Sequence, residues 1–598
     1  MERLVVEARR AEKFASREIT ARAIILGALL ALILGAANAY LGLYAGMTVS
    51  ASIPAAVISM ALLRLLGRAT ILENNVVQTI ASAGEAVAAG AIFTFPALVI
   101  LGRTGPLPYL DVTLLCLAGG TMGSLLVVFL RRVYVVEERL PFPEGMACAE
   151  VLRAGEAGAA NAAPLAWGGV LAAALKAAED ILGLLPGALS GARWIGGAAF
   201  SGSFDISAAL LGVGYIVGPA IASLVFLGGA LAWLCAIPLT SLTHPASHAV
   251  DAATAAMRIW SGHTRYMGVG AMLVGGFATL WRLRLPIGRG LRESARVFQT
   301  RRSGPSLDRE ELDLSPRIVL ISIALCVPAI FAICYLLSQS LWLSLALAAA
   351  LAIIGFFATA VAGYLTGIVG SSNNPVSGVT IIVLLAIALM LNFLGVSVAI
   401  GPYLAIMAGA VVCTAAAMAG DSLHDLATGF HVGATPRALE IAVLIGAIVA
   451  SLLMAPILNL LISAYGIAGT PTAKAQALAA PQAFLMAQVA RGVFMGGLPW
   501  GSIGAGGGLA LLLIGADSWL VRHQAKWRTP VMPVAIGLYL PFGLSVTILF
   551  GSLARLLYHD EVEGGRGLLF AAGLVAGEAL MGVASGALVT FGVKLPLW

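Results

Sequence analysis

Glu73-Asn74-Asn75-Val76-Val77-Gln78-Thr79-Ile80-Ala81-Ser82-Ala83-Gly84-Glu85 runs directly into Ala86 to Leu101, which is almost wholly apolar. The combined stretch exceeds the roughly 20 residues that carry a helix across the hydrocarbon core of a bilayer. A charge at mid-membrane costs about 2.5–3.5 kcal/mol on insertion scales, so carboxylates placed there line pathways or exchange protons. Gln78, Ser82 and Glu85 follow i, i+4, i+7 spacing and share one helix face. That face cannot point at lipid. The stretch reads as a membrane helix with a polar stripe turned toward protein.

The rest of the chain supports this reading. Its 598 residues are 60% hydrophobic and 11% charged, with a mean hydropathy of +0.96, whereas a soluble domain is about 25% charged. Apolar runs fall near 22–45, 49–66, 75–102, 109–130, 164–186, 207–234, 236–257, 266–282, 317–337, 341–364, 375–396, 400–420, 438–463, 482–517, 531–556 and 567–590. These make about sixteen spans of membrane-crossing length. The run 482–517 is interrupted by Gly497-Leu498-Pro499-Trp500-Gly501 and reads as two half-helices. The expected fold is an all-α polytopic membrane protein, because a helix satisfies its own backbone in lipid. A membrane β-barrel would show alternating segments of about ten residues, and these runs do not alternate.

The net charge of +6 does not point to nucleic acid. The basic residues sit at span edges, as the positive-inside rule expects. Arg64/Arg68, Arg131/Arg132/Arg139, Arg282 to Arg317 and Arg522 to Arg528 would all face the cytoplasm, and alternation from a cytoplasmic N-terminus satisfies all of them and puts the C-terminus there too if 236–257 is a span. The expected organisation is a cytoplasmic N-terminal segment 1–21, a transmembrane half 22–282, a cytoplasmic linker 283–316 and a second half 317–598, in a cytoplasmic (inner) membrane. The six cysteines fall mostly in apolar runs without zinc-type pairing and read as packing residues. Seventy glycines suit close packing and broken helices. They leave open whether small residues also hold a homodimer together.

An internal repeat is suggested by Tyr40-Leu41-Gly42-Leu43-Tyr44-Ala45-Gly46 beside Tyr364-Leu365-Thr366-Gly367-Ile368-Val369-Gly370. Gly214 and Gly228 have the spacing of Gly537 and Gly551. The paired segments run in opposite directions in the span order, as in inverted-repeat transporters.

Three further places break the apolar pattern. Gly370-Ser371-Ser372-Asn373-Asn374-Pro375 reads as a helix break that frees backbone groups toward a cavity, or as a surface turn. Gly420 to His431 holds Asp421, His424 and Asp425 on one helix face, suited to proton exchange or cation binding, or to a solvated turn. His244, His248 and Asp251 have i, i+4, i+7 spacing but lack the Glu of a His-Glu-x-x-His zinc helix, so no metal site is assigned and no cofactor is expected.

The stretch Glu73 to Glu85 closely resembles the hallmark of the oligopeptide transporter (OPT) family. Leu140-Pro-Phe-Pro-Glu-Gly-Met-Ala-Cys-Ala-Glu-Val-Leu152, Gly363 to Pro375, Asp425 to Pro436 and Pro533 to Pro541 resemble it in the same order. The Ser-Ser-Asn-Asn-Pro stretch is closer to the yellow-stripe-like and prokaryotic branch. The resemblance implies a proton-driven secondary carrier, not an enzyme, importing small peptides or metal chelates. On this reading Glu85, Asp421 and Asp425 carry proton coupling. Glu73, Asn74, Asn75, Gln78, Ser82, Ser371, Ser372, Asn373, Asn374 and His424 line the substrate cavity, with Tyr40 and Tyr44. Glu144 and Glu150 cap a helix or gate the pathway. A protonated carboxylate is cheaper to enclose than a charged one, and its proton is released toward the less acidic cytoplasm. The rivals are a passive channel and an intramembrane metalloenzyme at His244/His248/Asp251. Polar residues scattered over many spans form neither a repeated pore ring nor a compact catalytic set.

Overall fold

The computed structural model describes residues 18–46, 48–67, 69–103, 105–156, 163–243, 250–275, 277–278, 281, 312–314, 319, 327–328, 330–336, 338–369, 376–474, 476–496, 499–525, 527–558, 565–591 and 593. Ser371, Ser372, Asn373, Asn374, His244, His248 and most of the segments 1–21 and 283–316 lie outside the described residues. Asp251, the remaining member of the His-rich motif, is exposed and caps the Ala252–Ile259 helix through Thr254 N at 3.0 Å.

The described chain is helical almost throughout. Nine of its helices are long and apolar enough to cross a membrane, among them Ala21–Ala45, Tyr109–Glu137, Gly401–Val432, Pro436–Tyr465 and Arg566–Thr590. Shorter apolar helices include Ser52–Leu65, Ala208–Val217 and Phe542–Leu557. The protein is therefore an all-α polytopic membrane protein. The run 482–517 is divided into two helices, Pro481–Met495 and Trp500–Arg522, as read from the sequence, but the second is no half-helix: its 23 residues are long enough to span a membrane.

Several boundaries differ from the sequence reading. The span expected at 207–234 breaks at Gly218, whose φ of +81° ends one helix before Pro219 starts the next. That second helix passes through a π-helical turn, Leu231–Ala236, and runs on to Thr243, so 236–257 is not a separate span. The span expected to stop at residue 420 continues to Val432 and ends at Gly433 in the left-handed conformation. One hairpin interrupts the helices: β1 (Ala188–Ile195) pairs antiparallel with β2 (Ala198–Asp205), Ala188 opposite Asp205. Its turn residues Gly196 and Gly197 have φ of +57° and +83°, the signs a type I′ turn demands.

Two interrupted helices cross at the glycines noted in the sequence. A Cβ on Gly214 would meet the Ile548 carbonyl oxygen, and one on Gly551 that of Leu211. Gly228 and Gly537 face Val534 and Val225 in the same way. The contacts descend along residues 531–557 as they ascend along 208–230, so the two segments run antiparallel with their backbones touching. Each break has its loose carbonyls satisfied by the partner. Arg555 Nη1 donates to Ile216 O (3.0 Å) and Tyr215 O (3.3 Å), and Trp233 Nε1 donates to Leu540 O (3.2 Å). Unsatisfied carbonyls cannot be left in a bilayer, so these two side chains make the breaks tolerable. Residues 313 and 314 are pinned to the bundle by Arg131–Asp313 (2.7 Å) and by Leu314 N on Glu440 (2.7 Å).

Candidate functional site

The Ile71–Ile92 helix is buried on every side from Glu73 onward. Thr70 caps it through Glu73 N, and small residues let neighbours approach: a Cβ on Gly84 would strike Ala31. Its polar stripe meets the equally buried middle of the Gly401–Val432 helix. The Gln78 amide donates to Asp425 Oδ1, and Ser52 Oγ donates to the same oxygen at 3.1 Å. Ser52 and Ser82 hydroxyls are 3.3 Å apart. Glu85 Oε2 accepts the Ala51 backbone N–H at 3.2 Å. Asp421, Glu144 and Asp425 lie near enough to act on Glu85 electrostatically.

Ala51 and Ser52 open the Ser52–Leu65 helix, so its positive N-terminal end points at the carboxyl cluster. A non-helical turn delivers them there. Gly46 ends the Ala21–Ala45 helix at φ +73°. Asn38 then clamps Val49 at both backbone groups, each at 3.0 Å. Neither Asn38 nor Ser52 was singled out in the sequence. Asn38 carries a readable signal, an amide within the apolar run 22–45.

His424 lies behind Asp425, 1% exposed, with Nε2 3.8 Å from Glu144 Oε2. Glu144 is in the first turn of the Pro143–Glu156 helix, which Thr428 Oγ1 joins through Gly145 O at 3.1 Å. Glu150 is on the exposed side of that helix, away from the cluster.

Not every expected residue comes here. Glu73 is held by Arg22, Nε to Oε1 and Nη2 to Oε2 both at 2.6 Å, with Thr20 on the same carboxylate. Asn74 accepts from Ser59 Oγ at 3.2 Å. Asn75 is fully buried, and its amide makes no hydrogen bond among the described residues.

Tyr40 and Tyr44 stack on each other (5.9 Å between centroids) at a second polar cluster. Tyr44 Oη is 3.5 Å from Asp205 Oδ2. In this cluster Lys176 Nζ lies 3.1 Å from both Glu179 Oε2 and Asp180 Oδ1. Glu578 accepts Ser207 Oγ at 2.7 Å and Ala209 N at 2.8 Å, at the start of the Ala208–Val217 helix. Lys176, Glu179, Ser207 and Glu578 line a cavity of about 90 Å³ together with Phe204 and Leu211. The sequence reading missed this cluster. A lone glutamate in the apolar run 567–590 gives the same signal as Glu85.

Interrupted, glycine-packed apolar helices that enclose buried carboxyl clusters define a multi-pass membrane protein. The OPT oligopeptide transporter protein family matches residues 18–589, nearly the whole chain. A protein of Haemophilus influenzae (strain ATCC 51907 / DSM 11121 / KW20 / Rd) named "Putative oligopeptide transporter" is 36% identical over 579 residues, covering 91% of each chain. The chain belongs to the OPT family.

Proposed function

We propose that the protein imports small oligopeptides across the cytoplasmic membrane, driven by the proton gradient and working by alternating access. The observation that carries the coupling is the convergence of Glu85, Asp421 and Asp425. Glu85 and Asp425 are held by a backbone N–H, a hydroxyl and an amide, partners that can remain in place when a carboxyl gains or loses its proton. Several carboxylate charges at this depth repel one another and lack water, a cost that binding a proton relieves. Protonation from the outward side would let the cavity close around substrate. Proton loss to the cytoplasm would reopen the pathway inward. The turn clamped by Asn38 joins Glu85 to the Ser52–Leu65 helix and is the natural lever. Ser371 to Asn374 remain a sequence-based proposal for the cavity wall, as do a cytoplasmic N-terminus and two halves joined by the 283–316 linker.

The peptide assignment draws on the family and on the printed name of the relative. The test is uptake into proteoliposomes of a mixed pool of tri- to pentapeptides, and separately of Fe(III) and Ni(II) chelates, with and without an inward proton gradient. Gradient-dependent accumulation of peptides is the expected result. Accumulation of the chelates alone would replace the substrate class, and entry indifferent to the gradient would leave a channel.

A further inference from the structure

Arg265 is 2% exposed and follows the π-helical turn Trp260–Thr264. Its guanidinium carbon lies 3.5 Å from the Phe484 ring centroid, 4.5 Å from that of Tyr539 and 4.9 Å from that of Trp260. Its Nη2 donates to Ala479 O at 3.2 Å, while Nε makes no hydrogen bond. The indole N–H of Trp260 is also buried and makes none. The Tyr539 hydroxyl is close enough to interact with the guanidinium as a hydrogen-bond acceptor, Tyr266 is also near it, and among the described residues no carboxylate pairs with it.

The molecule's other enclosed ion pairs set the standard. Arg131, also 2% exposed, has Asp313 at 2.7 Å, and Lys176 has two carboxylates. A buried cation without a counterion is an expensive arrangement. Aromatic faces hold a guanidinium by cation–π attraction, but a ring face satisfies none of its in-plane donors, and the Ala479 carbonyl and the Tyr539 hydroxyl are neutral partners that bring no opposite charge. An arginine presents those donors as a fork that matches the two oxygens of a carboxylate.

The surroundings are irregular in a way that packing alone does not require. Tyr539 is the last residue before the helix break at Leu540–Pro541. Ala480, next to the Ala479 carbonyl, has φ +41° without being glycine, and its N–H bonds Leu43 O at 2.7 Å. A π-helical turn, a left-handed alanine and an interrupted helix thus meet around one arginine. Strained backbone and π-turns concentrate at functional sites, and carriers bind substrate where membrane helices are discontinuous.

We propose that Arg265, with the Trp260 indole N–H beside it, receives a carboxylate group of the transported molecule, supplying a counterion that none of the described residues provides. For an oligopeptide this is the C-terminal carboxylate. The proposal rests on the oligopeptide reading above.

The experiment uses the full chain in proteoliposomes with an inward proton gradient. It compares a pool of tri- to pentapeptides carrying free C-termini with the same pool C-terminally amidated. The wild type is expected to accumulate the acids at least tenfold better. Arg265→Gln should lose that preference, and Arg265→Lys should keep part of it. Equal wild-type uptake of both pools overturns the carboxylate site and leaves the oligopeptide reading intact. Uptake of neither pool refutes the oligopeptide reading and the proposal with it. Acid preference retained in Arg265→Gln overturns the assignment to this residue. Should Arg265→Gln not fold, judged by its elution profile, the wild-type comparison and Arg265→Lys still decide.

Discussion

Two of the buried carboxyl clusters, one around Lys176 and one around Glu85, are treated differently. Around Lys176, two carboxylates are matched by an ammonium at 3.1 Å, and Glu578 is matched by a helix N-terminus and a serine. Around Glu85, the donors to Glu85 and Asp425 are a backbone N–H, an amide and a hydroxyl. The first arrangement needs its charges, because removing one leaves the others uncompensated at depth. The second keeps its hydrogen bonds in either protonation state, because neutral donors serve a carboxylate and a carboxylic acid alike, while mutual repulsion and the lack of water favour binding a proton. The same contrast separates the two glutamates of the motif. Glu73 is fixed by Arg22, and Glu85 is the one that can titrate without breaking an ion pair.

Substitutions can break or sharpen this contrast. The largest effect is expected at Lys176. Lys176→Met strands two buried carboxylates and should cost about 3–5 kcal/mol, read as a large drop in the melting temperature of the purified protein. Adding Glu179→Gln and Asp180→Asn should recover much of it, and an unshifted melt in the single variant would end the ion-pair account. Gly537→Val comes next. It pushes a side chain into the Val225 carbonyl where the two broken helices touch, and overpacking of this kind costs about 1–3 kcal/mol. Its thermal shift should exceed that of a valine at Gly508, where nothing lies within 4 Å. Asn38→Ala leaves both polar groups of Val49 unmatched, a loss of about 1–3 kcal/mol. It should also slow uptake, because the turn that aims Ala51 at Glu85 is loosened. Glu73→Gln is expected to be mildest, about 1 kcal/mol or less, since Arg22 is one-third exposed. Retained gradient-driven uptake in that variant would separate the two motif glutamates.

The Gln78–Ser82–Glu85 stripe was legible because 3.6-residue periodicity puts three polar side chains on one face of an otherwise apolar helix. Its partner was only half legible. Hydropathy falls at Asp421, so the span was ended at 420, although Gly433 and Pro436 mark the true stop. A polar segment inside a bundle looks like a turn until the helix that covers it is known. The Lys176 cluster was hidden because charges at the end of an apolar run resemble a membrane edge. Arg265 was hidden among Arg258, His263 and the basic residues beyond 281. The hairpin 188–205 was missed, although Gly196-Gly197 between two short strands is a recognised turn signal. The glycine pairs were seen for their spacing, but not that they face each other. Spacing within one chain segment says nothing about which segment lies opposite.

The most direct test of the account compares Glu85→Gln with the wild type in proteoliposomes loaded and bathed with the same peptide pool. Both should exchange labelled for unlabelled peptide at equal concentrations, since exchange needs no net proton movement. Only the wild type should accumulate peptide against a concentration difference when an inward proton gradient is imposed. Gradient-driven accumulation by Glu85→Gln at the wild-type level would contradict the claim that this cluster couples protons to transport.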